Sequence, residues 1–125
     1  MQDSLTDIRQ QAIDNTYYRK VVDTGNNTQI VVMSIEVSDD VGEEVHPDNE
    51  QVLINAAGQG KTVLNDVTTD FNENDLVVVR PGVKHNFINT GDTPLKIITI
   101  YAPPHHPKGT IHRTKAEAEE AEKSE

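Results

Sequence analysis

The feature that most restricts the fold of this chain is a series of short apolar runs, each closed by residues that favour turns. The run from Gln29 to Val37 alternates, with Val31, Met33 and Ile35 on one side and polar or smaller residues between them. Because side chains of a strand alternate between its two faces, this pattern predicts a strand with one buried face. About eight such runs are separated by Gly, Asn, Asp and Pro, without a long helical pattern between them. The sequence therefore predicts an all-β fold, an antiparallel sandwich or barrel.

The other predicted strands follow the same logic, and they cover the chain up to residue 101. They are Tyr17 to Val22, a strand through Glu44 and His46, Gln51 to Ala57, Lys61 to Val67, Leu76 to Val79, His85 to Asn89 and Leu95 to Tyr101. The unbroken apolar run Leu76 to Val79 indicates cover on both faces. Thr69 to Asn74 is predicted to be a polar turn.

The two ends of the chain differ from this middle part, so we divide one domain into residues 1–14, a barrel of residues 15–102 and a strap and acidic tail of residues 103–125. Helical spacing of apolar residues behind a Ser4 cap predicts a short helix from Asp3 to Ile13. Three prolines make residues 103–107 extended. Thr114 and Glu117 form a capping box, but the segment behind it carries little apolar surface, which predicts that the acidic tail is either a frayed helix or disordered.

Composition excludes several classes of partner. Twenty-one acidic residues against eleven basic ones give a net charge of −10, which repels nucleic acid and anionic membrane surfaces. Cysteine is absent, so a bound metal would need nitrogen and oxygen ligands. The sequence also lacks an apolar run of the ~20 residues that a membrane span needs, and its start does not resemble a secretion signal. We therefore expect a cytoplasmic protein.

Four polar residues on predicted strands supply the donors for a metal site. Glu44 and His46 are two positions apart, so both side chains leave the same face of a strand. Gln51 has the opposite parity unless the break at residues 47–49 resets it. His85 follows the tight turn at Pro81 and Gly82, where a β-fold can return it to the same place. The alternative is that these residues line the interior and bond to one another or to water.

The spacing of these residues resembles the two motifs of the cupin superfamily, which are small double-stranded β-helix, or jelly-roll, barrels. Glu44-x-His46, four residues, Gln51, six residues and Gly58 match the spacing of the first motif, with Glu in place of its first His and Gln in place of its Glu. The match to the second motif consists of Asn74, Arg80 to Gly82, His85 and Asn89, with Asn in place of its first Gly and Arg in place of its first Pro.

A closer resemblance, over Asn15 to Glu122, is to single-domain bacterial cupins labelled mannose-6-phosphate-isomerase-like. The resemblance implies that Glu44, His46, Gln51 and His85 bind a divalent transition metal, which would be Fe, Mn, Ni or Zn. Glu50 is an alternative to Gln51, because the motif also allows three intervening residues. Only Gln51 preserves the gap to Gly58.

The expected function is a metal-binding cupin that acts on a small sugar-like or oxygen-donor molecule by isomerase-like or oxygenase-like chemistry. The alternative is a module that binds a small ligand without catalysis. Because exposed sheet edges are commonly paired between subunits, we also expect a homodimer that uses the N-terminal strand.

Two further groups of residues have a functional and a structural interpretation. His105, His106 and His112 suggest a second metal site, but their proline-rich surroundings favour a strapped surface segment. Arg80, at a strand end, either attracts an anionic substrate or forms a surface salt bridge, and the salt bridge is the more common case.

Overall fold

The computed structural model of the chain describes residues 5–123, in which nine β-strands account for most of the regular structure. The strands are β1 Arg19–Thr24, β2 Gln29–Ile35, β3 Glu50–Ala57, β4 Gly60–Leu64, β5 Val67–Phe71, β6 Leu76–Val79, β7 His85–Asn89, β8 Leu95–Ala102 and β9 Ile111–His112. Helix α1, Ile8–Asp14, precedes the strands, and helix α2, Lys115–Lys123, follows them. The predicted all-β class is confirmed.

The strands form two antiparallel sheets. The larger sheet has the order β6-β3-β8-β2-β1-β9, and the smaller one has the order β5-β4-β7. Residues 40–44 extend the smaller sheet beyond β7 through single bridges from Asp40 to Ile88 and from Glu44 to His85. The segment that supplies the predicted metal ligand Glu44 is therefore attached to the strand that begins with another, His85.

Buried apolar side chains from both sheets meet in one core. Met33 and Ile97 contribute from the larger sheet, and Phe71 and Phe87 from the smaller one, with their rings 5.5 Å apart. Because successive residues of a strand point to opposite faces, Val32 lies on the outer face of the larger sheet, where helix α1 covers it. Strand β2 is thus buried on both sides.

Three local predictions for the strands are wrong for reasons that depend on neighbours. Strand β6 pairs only with β3 and forms the edge of its sheet, so Leu76 is 56% exposed instead of covered on both faces. The predicted turn at Thr69 to Asn74 begins later, because its β-branched threonines belong to the edge strand β5. The predicted strand through Glu44 and His46 is reduced to the single bridge at Glu44.

The terminal segments also differ from expectation. Helix α1 begins at Ile8, after Asp7 with a left-handed φ of 53° and no side-chain cap, and Ser4 lies outside the described residues. Helix α2 does begin with the predicted cap, in which the Glu117 amide donates to Thr114 Oγ1 at 3.1 Å. Of the two alternatives for the acidic tail, the helical one is confirmed, and Ala118 packs into the main core.

Strand β1 is paired on both sides, with β2 and with β9. The N-terminal strand is therefore not a free sheet edge, whereas β5 and β6 each have one unpaired side among the described residues. No helix within residues 5–123 combines the length and the apolar character needed to cross a membrane.

Candidate functional site

Three of the four predicted ligands lie together at one end of the smaller sheet. Glu44 and His85 are directly opposed, and each donates its amide to the other's carbonyl at 2.9 Å. Opposed residues of an antiparallel pair place their side chains on the same face. The His46 ring lies 5.1 Å from that of His85 between centroids, and His46 Nε2 lies 3.4 Å from Glu44 Oε2. The fold thus joins residues that are far apart in the sequence.

Gln51, the fourth predicted ligand, points into the interior from β3. It lies opposite Tyr101 on β8, and its Nε2 donates to Thr99 Oγ1 at 3.0 Å. The carboxamide oxygen Oε1 is buried and has no hydrogen-bond partner among the described residues. Glu50 faces outward and pairs with Arg80 at 2.8 Å. The geometry therefore favours Gln51 over Glu50, and it gives Arg80 the salt bridge that was the more common expectation.

The hydrogen bond of His85 determines which of its nitrogens can bind a ligand. Nδ1 lies 2.9 Å from the Val83 carbonyl oxygen. Because a carbonyl can only accept, Nδ1 carries the proton, which leaves the lone pair of Nε2 free to bind a metal or accept a hydrogen bond. Burial lowers the pKa of His85, although the bond to Val83 opposes that shift. This is the orientation that a metal-binding histidine takes when its other nitrogen is held by the backbone.

Burial sets the charge states of Glu44 and His46. Burial first, and then the neighbouring charges of His105, His85 and Arg19, lower the pKa of His46 to about 4. Burial also raises the pKa of Glu44 to about 7, against the effect of Arg19. The Glu44 to His46 distance is that of an ion pair, but His46 is neutral at pH 7 on this account. The contact between Glu44 and His46 is therefore polar and is not an ion pair at pH 7.

The strap of residues 103–110 brings two further histidines to this site, which sequence reasoning placed at the surface. The His105 ring lies 4.5 Å from His46 and stacks on Tyr101 at 5.4 Å, whereas the His106 ring meets Tyr101 edge-on at 5.1 Å. His106 is buried, and His105 is exposed at the rim. A surface strap is thus the right interpretation for His105 only.

Gln29 holds this strap in place. Its Oε1 accepts hydrogen bonds from the amides of His105 and His106 at 3.1 and 2.9 Å, and its Nε2 donates to the His106 carbonyl at 2.8 Å. Asn49 adds a bond from Nδ2 to the Pro103 carbonyl at 2.6 Å. In the sequence, the only signal for this return is the proline-rich segment that directly follows β8.

Arg19 is a second interior residue that the sequence analysis missed. It lies opposite Met33, shares the core-facing side of β1 and is 2% exposed. Its Nη1 lies 3.2 Å from His112 Nδ1 and 3.6 Å from Glu122 Oε1. Since a guanidinium can only donate, His112 Nδ1 is the acceptor. The sequence did contain a signal for this residue, because Arg19 is a charged residue at a core-facing position of a strand with alternating burial.

The candidate donors meet in pairs. Within residues 5–123, no group of three or more His, Asp and Glu side chains is arranged closely enough to hold a metal ion. A cleft of about 280 Å³ lies elsewhere, between β2 and the start of α2, and it contains none of the predicted ligands. Lys115 in that cleft is already paired with Asp39 and Asp40 at 3.0 and 2.8 Å. This cleft is therefore separate from the candidate site around His46.

Comparison with known proteins gives close relatives. The chain is 38% identical over 124 residues to the uncharacterized protein YrkC of Bacillus subtilis (strain 168), and the alignment covers 94% of this chain and 67% of YrkC. It is 35% identical over 115 residues to the uncharacterized protein L612 of Acanthamoeba polyphaga mimivirus, with 86% and 69% covered. The crystal structure of BH2720 from Bacillus halodurans superposes with a TM-score of 0.93 at 34% identity, over 95% of each chain.

The family match covers the strands that carry the candidate site. Residues 31–101, more than half of the chain, match the cupin domain. This range contains Glu44, His46, Gln51 and His85, and it ends at Tyr101, just before the strap. Together with the two antiparallel sheets and the close relatives, this match shows that the chain belongs to the cupin family.

Proposed function

We propose that this cupin binds a divalent transition metal through His46, His85, Glu44 and Gln51, and that the ion holds a small oxygen-donor molecule in the barrel. The observation that carries the proposal is that the buried Gln51 Oε1 has no hydrogen-bond partner within residues 5–123. Leaving a buried acceptor unsatisfied costs about 1–3 kcal/mol. A cation bound beside Gln51 would satisfy this oxygen.

The donor set fits such an ion. It consists of two imidazoles, a carboxylate and a carboxamide oxygen, which suit Fe, Mn, Ni or Zn in the divalent state. The bond from His85 Nδ1 to Val83 already orients one lone pair. Because the donors meet in pairs rather than in a closed group, we expect modest affinity.

The class of reaction that the site supports depends on which metal it binds. A bound divalent ion polarises an oxygen donor or, if it is redox-active, activates dioxygen. Burial raises the pKa of Tyr101 to about 12, so its phenol stays protonated beside the site. Isomerase-like chemistry on a sugar-like substrate and oxygenase-like chemistry both agree with this arrangement. The mannose-6-phosphate-isomerase-like subtype, a cytoplasmic location and a homodimer remain parts of the proposal.

A binding module without catalysis is the second candidate. The paired arrangement of the donors favours it, because a polar interior of this kind also holds a small ligand through hydrogen bonds alone. The two candidates differ in one measurable property, which is the amount of tightly bound metal.

Elemental analysis of the untagged chain separates the candidates. After incubation with Fe(II), Mn(II), Ni(II) or Zn(II) and gel filtration, we expect about one ion per chain for at least one metal. His46→Ala and His85→Ala should each weaken binding by about 10- to 100-fold. Glu50→Ala is the matched control for Gln51→Ala, because the two neighbours point to opposite sides of β3. Stoichiometry near zero with every metal leaves only the binding module.

A further inference from the structure

The guanidinium of Arg19 is a buried charge that lacks a complete set of partners among residues 5–123. Its residue is 2% exposed, and its Nε has no hydrogen-bond partner among the described residues. A buried charge is tolerated when it is paired and hydrogen-bonded on all sides. Among the described residues, the guanidinium has the His112 imidazole at 3.2 Å and the face of the Tyr18 ring at 5.4 Å, and neither of these neutralises its charge.

The carboxylate nearest to Arg19 is that of Glu122, and it is a weak partner. Glu122 Oε1 lies 3.6 Å from Nη1, whereas charge-assisted hydrogen bonds of this kind are about 2.7–2.9 Å long. The Glu122 side chain is also 45% exposed in the last turn of α2. Arg19 therefore has a carboxylate near it, but not the short bidentate contact that a guanidinium makes with a well-placed oxyanion.

A second buried nitrogen lacks a partner in the same region. His106 is 8% exposed, and its Nε2 has no hydrogen-bond partner among the described residues. Gln29 fixes the backbone of His106 through two bonds, so the ring is held in place on Tyr101. Burial, and next the charge of Arg19, lower the pKa of His106. His106 is thus a neutral imidazole, and its Nε2 can donate a hydrogen bond when it carries the proton.

We propose that Arg19 and His106 bind the anionic group, a carboxylate or a phosphate, of the small molecule held in the barrel. The planar fork of a guanidinium matches the geometry of both anions, and an imidazole N–H adds a third donor. The net charge of −10 repels anions in general, so a local cation such as Arg19 favours the binding of an anion at this place. Glu122 then occupies the place that the anion of the ligand would take.

This inference deepens the proposed function. It rests on the proposed function in one respect, namely that the ligand bound by Arg19 and His106 also contacts the metal. The charge of Arg19 acts on Glu44 and on His46 as well, after the effect of burial on each. Direct ring contacts also link His106 of the anion site to the predicted metal ligand His46. Tyr101 joins the two, because its ring contacts both His46 and His106.

Calorimetric titration of the full-length chain tests the proposal. The probes are glycolate for a carboxylate, mannose 6-phosphate for a phosphate and mannose as the uncharged control, each with metal-free and with Zn-loaded protein. We expect saturable binding of at least one anion to the metal-free protein, and no binding of mannose. Arg19→Gln should weaken anion binding at least tenfold, with folding checked by circular dichroism. A folded Arg19→Gln protein that binds the anions as the unchanged chain does overturns the proposal.

Arg19 is in the core, so its substitution also affects folding. A second pair of variants therefore tests the proposal without changing Arg19. Glu122→Gln removes the competing carboxylate and should strengthen anion binding about threefold or more, relative to Glu120→Gln. Glu120 is on the same helix, and its ion pair with Lys123 is exposed at 3.8 Å. Indistinguishable affinities of the two variants contradict the proposal.

The metal arm separates this inference from the proposed function. Anion binding that needs Zn and is equal in the unchanged chain and in Arg19→Gln assigns the anion to the metal, which overturns the inference and leaves the proposed function standing. If the protein binds metal but binds no anion, with or without Zn, the inference is also overturned and the proposed function also stands. Arg19-dependent anion binding in a chain that binds no metal supports the inference and overturns the proposed metal site.

Discussion

His105 lies over the ring of His46, with 4.5 Å between the two centroids, although the first belongs to the C-terminal strap and the second to the loop before β3. Gln29, on a third segment, makes this approach possible by holding the strap backbone through three hydrogen bonds. The strap is thus one wall of the candidate site. Changes to the strap, to Gln29 or to the loop should therefore act on the same site.

Replacing Gln51 by Glu should strengthen metal binding. A carboxylate is a stronger ligand than a carboxamide for these ions, and the Thr99 hydroxyl can donate to it where Gln51 now donates. We expect affinity for Zn(II) or Mn(II) to rise by about tenfold, which corresponds to about 1.4 kcal/mol. Calorimetric titration measures the change. Equal or weaker binding by Gln51→Glu would mean that this side chain does not contact the ion.

Replacing Gln29 by Leu should destabilise the fold. Gln29 is fully buried, and the substitution leaves two strap amides and one carbonyl without their partner. We expect the free energy of unfolding to fall by about 2–4 kcal/mol. Urea denaturation measures it. Gln10→Ala on helix α1 is the control, because its hydrogen bond is exposed, and it should change stability by less than about 0.5 kcal/mol.

Gly60→Ala should cost more stability than Gly82→Ala. A Cβ at position 60 would lie 2.5 Å from the Ile88 carbonyl oxygen and 3.0 Å from Leu95 Cδ2, so β4 would have to move. At Gly82 the space is open, and only the left-handed φ of 82° is unfavourable. We expect losses of about 3 kcal/mol at position 60 and about 1–2 kcal/mol at position 82. Thermal unfolding gives the order, and the reverse order would contradict the tight strand packing.

The stability of the metal-free chain should depend on pH through His106. Burial and the charge of Arg19 lower the pKa of His106 to about 2, below the value near 6.5 of an unfolded chain. Its contribution is therefore complete above pH 6.5 and is lost as the pH falls towards 2, because the unfolded state takes up the proton first. From pH 7 to pH 5 we expect His106 to account for a loss of about 2 kcal/mol.

Urea denaturation of the unchanged chain and of His106→Gln at both pH values measures this contribution. The variant cannot take up the proton in either state, so its stability should fall less over the same interval. The difference between the two chains isolates His106 from Glu44, whose raised pKa acts in the opposite direction. An equal loss in both chains would mean that His106 is protonated in the folded state.

Much of the fold could be predicted because its information is local. The alternation in β2 and the turn residues between strands specify extended segments wherever they lie. The capping box at Thr114 and Glu117 is equally local, and the corresponding hydrogen bond is present at the start of α2. In contrast, the run Leu76 to Val79 looks the same in the middle of a sheet and at its edge. Only the pairing of β6 with β3 alone decides that it is an edge strand.

For the candidate site the division is similar. The sequence by itself determined which residues are metal-ligand candidates, because Glu44, His46, Gln51 and His85 occupy the spacing of a known motif. Tertiary structure alone decided that Gln51 points inward and Glu50 outward, and that the strap returns to His46. It also decided that Arg19 and His106 are buried, each with one nitrogen that has no hydrogen-bond partner in the part of the chain that the structure describes. The physical reason is that strand periodicity records which side of its own strand a residue occupies, whereas burial and missing partners depend on distant segments that pack against that side.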